Sequence, residues 1–104
     1  MIKHIVFWRL NERAYGNDKQ TNAQLIKEKL LAMKGRVAGL LTIEVGFDFS
    51  NETDSCDVVL YSEFDNKEAL RQYQNHPNHI AIKKWLHDVR FERRVIDYEI
   101  TEPE

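Results

Sequence analysis

An α+β fold, with one antiparallel sheet and its helices on one face, is what this sequence predicts, and three observations carry the prediction. Four segments of strand length are rich in alternating or β-branched apolar residues. Two amphipathic stretches separate them in the order strand, helix, strand, strand, helix, strand. Pro77 falls inside the second amphipathic stretch, where it removes an amide from the helical ladder and so breaks that helix in two.

The first strand spans residues 2 to 10, with Ile2, His4, Val6, Trp8 and Leu10 on one face and Lys3, Ile5, Phe7 and Arg9 on the other. Both faces are substantially apolar, which predicts a strand covered on both sides. The polar run Asn11 to Gln20 reads as a loop, and Thr21 is expected to cap the first helix with Gln24 at the capping-box position. Ala23, Ile26, Leu30 and Met33 form its apolar stripe, and Gly35 is placed to end it in a left-handed conformation. From Leu40 to Phe49 the alternation puts Leu41, Ile43, Val45, Phe47 and Phe49 together. The turn-forming Ser50 to Ser55 then joins this strand to the next, Asp57 to Phe64, as a hairpin.

Asp65 is expected to cap the second helix, whose stripe is Ala69, Leu70 and Tyr73. Pro77 stops that helix and serves as the first residue of another, running to about Val89 with Ile82, Trp85, Leu86 and Val89 on one face. A last strand covers Phe91 to Ile100. This is the ferredoxin-like βαββαβ order with a broken second helix, forming one domain over residues 2–99 and a short tail at 100–104.

The chain has 104 residues, enough for one core, and 15 basic against 17 acidic side chains, which gives no positive field for nucleic acid or an anionic membrane. Its single cysteine, Cys56, excludes an intramolecular disulfide and suits a reducing compartment. No apolar run reaches membrane-spanning length, and His4 and Arg9 interrupt the apolar start as no signal peptide's core would, so a cytoplasmic protein is expected. Glycine-rich phosphate loops, paired cysteines and nucleophile elbows are absent, so no cofactor is expected. His76 and His79 are three residues apart, but Pro77 disturbs that geometry and no further ligand is near in sequence, so no metal is expected either.

The segment Tyr73-Gln-Asn-His76-Pro77-Asn-His79 places two imidazoles and a phenol around the helix break, and His4 points from the sheet toward the same cleft. His79 can take a proton from a carbon acid near neutral pH while Tyr73 donates to the developing enolate oxygen, and His4 can orient the ligand or assist. These three are the candidate catalytic residues; with Trp85 they are also the candidate ligand-binding residues. A structural reading competes: His76 as a helix cap, Tyr73 as a core aromatic, and His4 as a satisfied buried histidine.

Four stretches resemble the stress-responsive dimeric α/β-barrel (Dabb) domain family: Met1-Ile-Lys-His4-Ile-Val-Phe, Asp57-Val-Val-Leu-Tyr-Ser-Glu-Phe64, the segment around Pro77, and Val95-Ile-Asp97-Tyr98-Glu99. The resemblance covers about residues 2 to 99. It implies a ferredoxin-like protomer and a dimer joined through its sheets. One plant member is a polyketide cyclase, and its tyrosine–histidine pair corresponds to Tyr73 and His79, with His4 matching a histidine on its first strand. A further histidine of that enzyme is replaced here by Val58.

The pattern alone points to the same assembly. Helices on one side leave the other sheet face bare, and its apolar content predicts a two-fold homodimer through that face. Three functions follow as expectations: binding of a small apolar or aromatic metabolite in the cleft; cofactor-independent chemistry of the cyclase-like lyase or monooxygenase kind; or a non-catalytic, stress-linked structural role.

Overall fold

The computed structural model describes residues 1–101. In chain order its elements are β1 (Ile2–Leu10), β2 (Arg13–Ala14), β3 (Asn17–Asp18), α1 (Lys19–Leu31), β4 (Leu40–Phe47), β5 (Val58–Phe64), α2 (Lys67–Asn75), α3 (Pro77–Val89) and β6 (Arg90–Glu99). The main sheet is antiparallel in the order β4-β5-β1-β6, which is the ferredoxin-like arrangement with its second helix split. Of the tail expected at 100–104, residues 102–104 lie outside the described residues. Ile100 continues the pairing: its N–H donates to the Met1 carbonyl at 2.8 Å, and the Met1 ammonium donates back at 3.0 Å.

Alternation decides which side chains meet the helices. Ile2, His4, Val6, Trp8 and Leu10 of β1 and Val58, Leu60, Ser62 and Phe64 of β5 are all buried on the helical side. Ile26, Leu30 and Met33 of α1, Ala69, Leu70 and Tyr73 of α2, and Ile82, Leu86 and Val89 of α3 close over them. Ser62 is a polar core residue made tolerable by its hydroxyl, which donates to the His4 carbonyl at 2.9 Å.

Four local expectations are corrected. The first helix begins two residues earlier than Thr21: Asp18 is its cap, accepting from the Thr21 N–H at 2.8 Å, and Thr21 lies inside the first turn. The preceding loop folds into the small β2–β3 hairpin, fixed to the helix where Asn22 donates to the Ala14 carbonyl at 3.1 Å. The second helix is capped by Asn66 rather than Asp65, whose own backbone N–H donates to the Gly39 carbonyl at 2.9 Å. A register shift between Leu40 and Thr42 inserts Leu41 as an extra residue, so Leu40, Ile43 and Val45 face the core while Leu41 is exposed.

The opposite sheet face carries no helix. Ile5 and Phe7 of β1, Val59 and Tyr61 of β5, and Ile96 and Tyr98 of β6 form its apolar centre. Around them lie three basic residues, Lys3, Arg9 and Arg94, and three acidic ones, Glu44, Glu63 and Glu92. Among the described residues, no helix is long and apolar enough to cross a membrane.

Candidate functional site

The helix break assembles the first half of the site. His76 has extended backbone, its N–H donates to the Tyr73 carbonyl at 3.2 Å, and its Nδ1 accepts from the Asn78 N–H at 3.1 Å. It thus ends α2 and caps α3, with Pro77 in the first turn, where no amide is missed. The sharp corner leaves Tyr73 in the last turns of α2 and His79 in the first turn of α3. Their ring centroids are 4.6 Å apart.

The sheet contributes the second half. His4 on β1 lies 6.3 Å from the Tyr73 ring and 6.4 Å from Phe64, edge-on to both. Antiparallel pairing sets His4 directly opposite Asp97 of β6, on the helical side. There His4 Nδ1 forms a short hydrogen bond with Asp97 Oδ1. A carboxylate accepts from Nδ1–H, so the neutral ring carries its proton there and Nε2 is left as the basic atom. His4, Tyr73 and His79 are therefore brought together, and Asp97 joins them.

A cavity of about 70 Å³ opens beside this cluster, between the sheet and helices α1 and α3. Val6, Trp8, Leu30, Leu60, Ile82 and Leu86 form its apolar wall, and His4 and His79 face it. Its remaining boundary is basic: Lys83 and His87 from α3, Arg90 at the helix-to-strand junction, and Arg93 on β6.

Two further candidates stand outside that wall. Tyr73 is fully buried behind the lining, with its ring 5.2 Å from Phe64. Trp85 is half-buried on the outer side of α3, where it stacks on Tyr15 of the hairpin at 6.4 Å and receives Lys29 Nζ at 4.9 Å. Trp85, expected at the ligand, is not part of this cavity's lining, because the hairpin supplies it with an aromatic partner on the outer side of α3.

Burial controls the protonation of the pair at the helix break. It pushes the Tyr73 phenol well above its ordinary value, so the hydroxyl keeps its proton and can donate a hydrogen bond. Burial pushes His79 down to about 4; the Gln74 backbone opposes this, while His4, Lys83 and Arg93 add to it. His79 is thus a neutral imidazole at pH 7. The Tyr73 hydroxyl and His79 Nδ1 are both buried without a hydrogen-bond partner.

The residues that sequence reasoning did not single out for the site are Asp97 and the three cations Lys83, Arg90 and Arg93. Alternation along β6 puts Arg93, Val95 and Asp97 on one face, but only the register with β1 says that Asp97 meets His4.

Comparison with known proteins agrees with this architecture. The model of the family described as the Stress Responsive A/B Barrel Domain matches residues 2–100. A crystal structure from Bacteroides fragilis, described as a dimeric protein of unknown function with a ferredoxin-like fold, is 32% identical with a TM-score of 0.82, over 95% of each chain. An uncharacterised protein of Streptomyces coelicolor is 28% identical over 81 residues, covering 78% of this chain and 81% of the relative. The hydroxynitrile lyase of Passiflora edulis shares the fold, with a TM-score of 0.80 over 99% of this chain and 95% of that one, at 17% identity.

Proposed function

The chain belongs to the stress responsive A/B barrel domain family, and on that footing we propose that it is a cytoplasmic homodimer, joined through its bare sheet faces, whose protomers each bind a small apolar or aromatic molecule in the cavity beside His4 and His79. The observation that carries the binding reading is His79 on the wall of an apolar-lined opening, with its Nδ1 buried and without a hydrogen-bond partner. Buried polar atoms without partners are costly, at ~1–3 kcal/mol each, and persist where a ligand or water supplies the missing bond. The assembly is supported by the apolar centre of the bare face, by its balanced charged border, and by the dimeric description of the Bacteroides fragilis relative. The half-buried thiol of Cys56 suits a reducing compartment.

A second reading, cofactor-independent acid–base catalysis, is favoured by the His4–Asp97 pair. The carboxylate fixes the ring's tautomer and stabilises the imidazolium that forms when Nε2 takes a proton. His79, depressed to about 4, is a weak base, so His4 is the base in this reading and the protonated Tyr73 a donor behind it.

Native mass spectrometry of protein purified without added ligand tests the proposal. A dimer carrying a stoichiometric small-molecule adduct is the expected result. A monomer at micromolar concentration would overturn the assembly. Cavity binding falls if the dimer is adduct-free and stays so across a panel of aromatic acids, amides and alcohols.

A further inference from the structure

The cavity's boundary has a charge pattern at odds with the chain as a whole. The chain is net −2, yet three of the residues around the cavity are cations and none is Asp or Glu. Lys83, Arg90 and Arg93 have no carboxylate within ion-pair distance among the described residues, so their charges are left for the cavity.

The register orders these groups along the floor. Leu10 pairs with Arg90, Trp8 with Arg93, Val6 with Val95 and His4 with Asp97. The cations therefore stand at the Trp8–Leu10 end, an apolar pair lies between, and the His4–Asp97 pair stands at the other end. Lys83 closes the same side from one helical turn beyond His79. The volume adds a constraint: about 70 Å³ is roughly half the ~150 Å³ cavity that encloses benzene. A ligand would be enclosed in part, with its polar head left at the basic mouth.

We propose that this cavity selects a compact organic anion, an apolar or aromatic body bearing a carboxylate head, with the head held by Lys83, Arg90 and Arg93 and the body lying over Val6 toward His4. This rests on the cavity-binding reading above and adds the chemical class. Arginine at two of the three positions suits a planar carboxylate, which it can grip through paired N–H donors. The lowered affinity of His79 for a proton has the same origin in part, since Lys83 and Arg93 are among the charges acting on it. The partner-facing side of the sheet is the opposite one, so dimer formation leaves Arg93 free to act.

Phenylacetate, its neutral isostere phenylacetamide and phenethylammonium are the probes, with binding read by calorimetry and by the emission of Trp8 in the wall. Phenylacetate is expected to bind about ten-fold more tightly than the amide, a preference that shrinks as salt rises from ~0.05 M to ~0.5 M, with the ammonium weakest. Arg93→Gln combined with Lys83→Gln should cut the acid-over-amide preference to about two-fold, the remainder belonging to Arg90, and remove most of its salt dependence. Both positions are exposed, so folding is not at stake, and a melting curve verifies it. Equal binding of acid and amide by the wild-type protein would overturn the anion inference while leaving cavity binding intact. If none of the three binds, the cavity reading fails and this inference with it.

Discussion

His79 makes the stability of this protein depend on pH in a defined window. Its proton affinity in the folded state is pushed down to about 4, against ~6.5 in an unfolded chain. At pH 7 both states are neutral and the residue costs nothing. As pH falls below ~6.5 the unfolded chain takes up a proton that the folded chain refuses until about 4, so stability is lost across that interval and levels off below it. Linkage over the two values gives about 1.8 kcal/mol lost between pH 7 and pH 5. The ring is only half-buried, and water at the cavity mouth reduces this to about 1 kcal/mol. Urea unfolding of the wild-type protein and of His79→Gln, each near pH 7 and near pH 5, isolates the effect, because the other histidines contribute equally to both proteins. The readout is the variant's pH dependence, which should be weaker by about 1 kcal/mol. If the variant loses as much stability between the two pH values as the wild type, His79 is not held neutral by burial and the electrostatic account of the site is wrong.

Two other predictions concern the frame. Gly39 has φ of 85°, and a Cβ built there would lie 2.7 Å from Ala69 Cβ, whereas Gly35 has φ of 76° and nothing within 4 Å. Gly35→Ala should therefore cost about 1 kcal/mol, from backbone strain alone, and Gly39→Ala about 2–4 kcal/mol, with displacement of α2 added; equal melting temperatures for the two variants would refute the close approach. Phe7→Glu puts a charge at the centre of the bare sheet face, where Phe7 is 39% exposed, and should shift a dimer to monomer in light scattering at micromolar concentration. A variant that stays dimeric would show that the copies meet elsewhere.

Most of the fold was legible because its signals are local. Alternation or strand-like composition marked all four main strands, and Pro77 located the break between α2 and α3 to the residue. The cap errors arose where two nearby residues could serve equally as a cap. Asp18 and Thr21 both carry capping oxygens, as do Asp65 and Asn66, and the choice is made by contacts to β2–β3 and to Gly39 that sequence periodicity does not encode. Leu41 fits the alternation perfectly well, but the bulge is a property of how β4 pairs with β5. The site divides in the same way. Tyr73, His76 and His79 lie within seven residues and were readable together. Asp97 is separated from His4 by 93 positions, and their meeting depends on a register between the first and last strands that no short-range pattern sets.

The two ends of the cavity owe their positions to two different junctions. At one end, the Pro77 corner brings Tyr73 and His79 together over His4, where buried rings and an aspartate control protons. At the other, α3 passes into β6 with no intervening loop, at Val89 and Arg90, so the end of a helix and the start of a strand must contribute to one wall. The ten residue steps of helix from His79 to Val89 rise about 15 Å, which sets Arg90 far from the histidine pair, while Lys83, one turn from His79, links the two ends. The charges at the mouth are exposed and can vary at little cost to folding, whereas His4, Tyr73 and Phe64 are packed against one another and cannot. Recognition thereby rests on side chains whose replacement leaves the packed rings in place, although Lys83 and Arg93 also act on the charge of His79. A fold arranged in this way can keep one buried chemical centre and change what it accepts by changing residues such as Lys83 and Arg93.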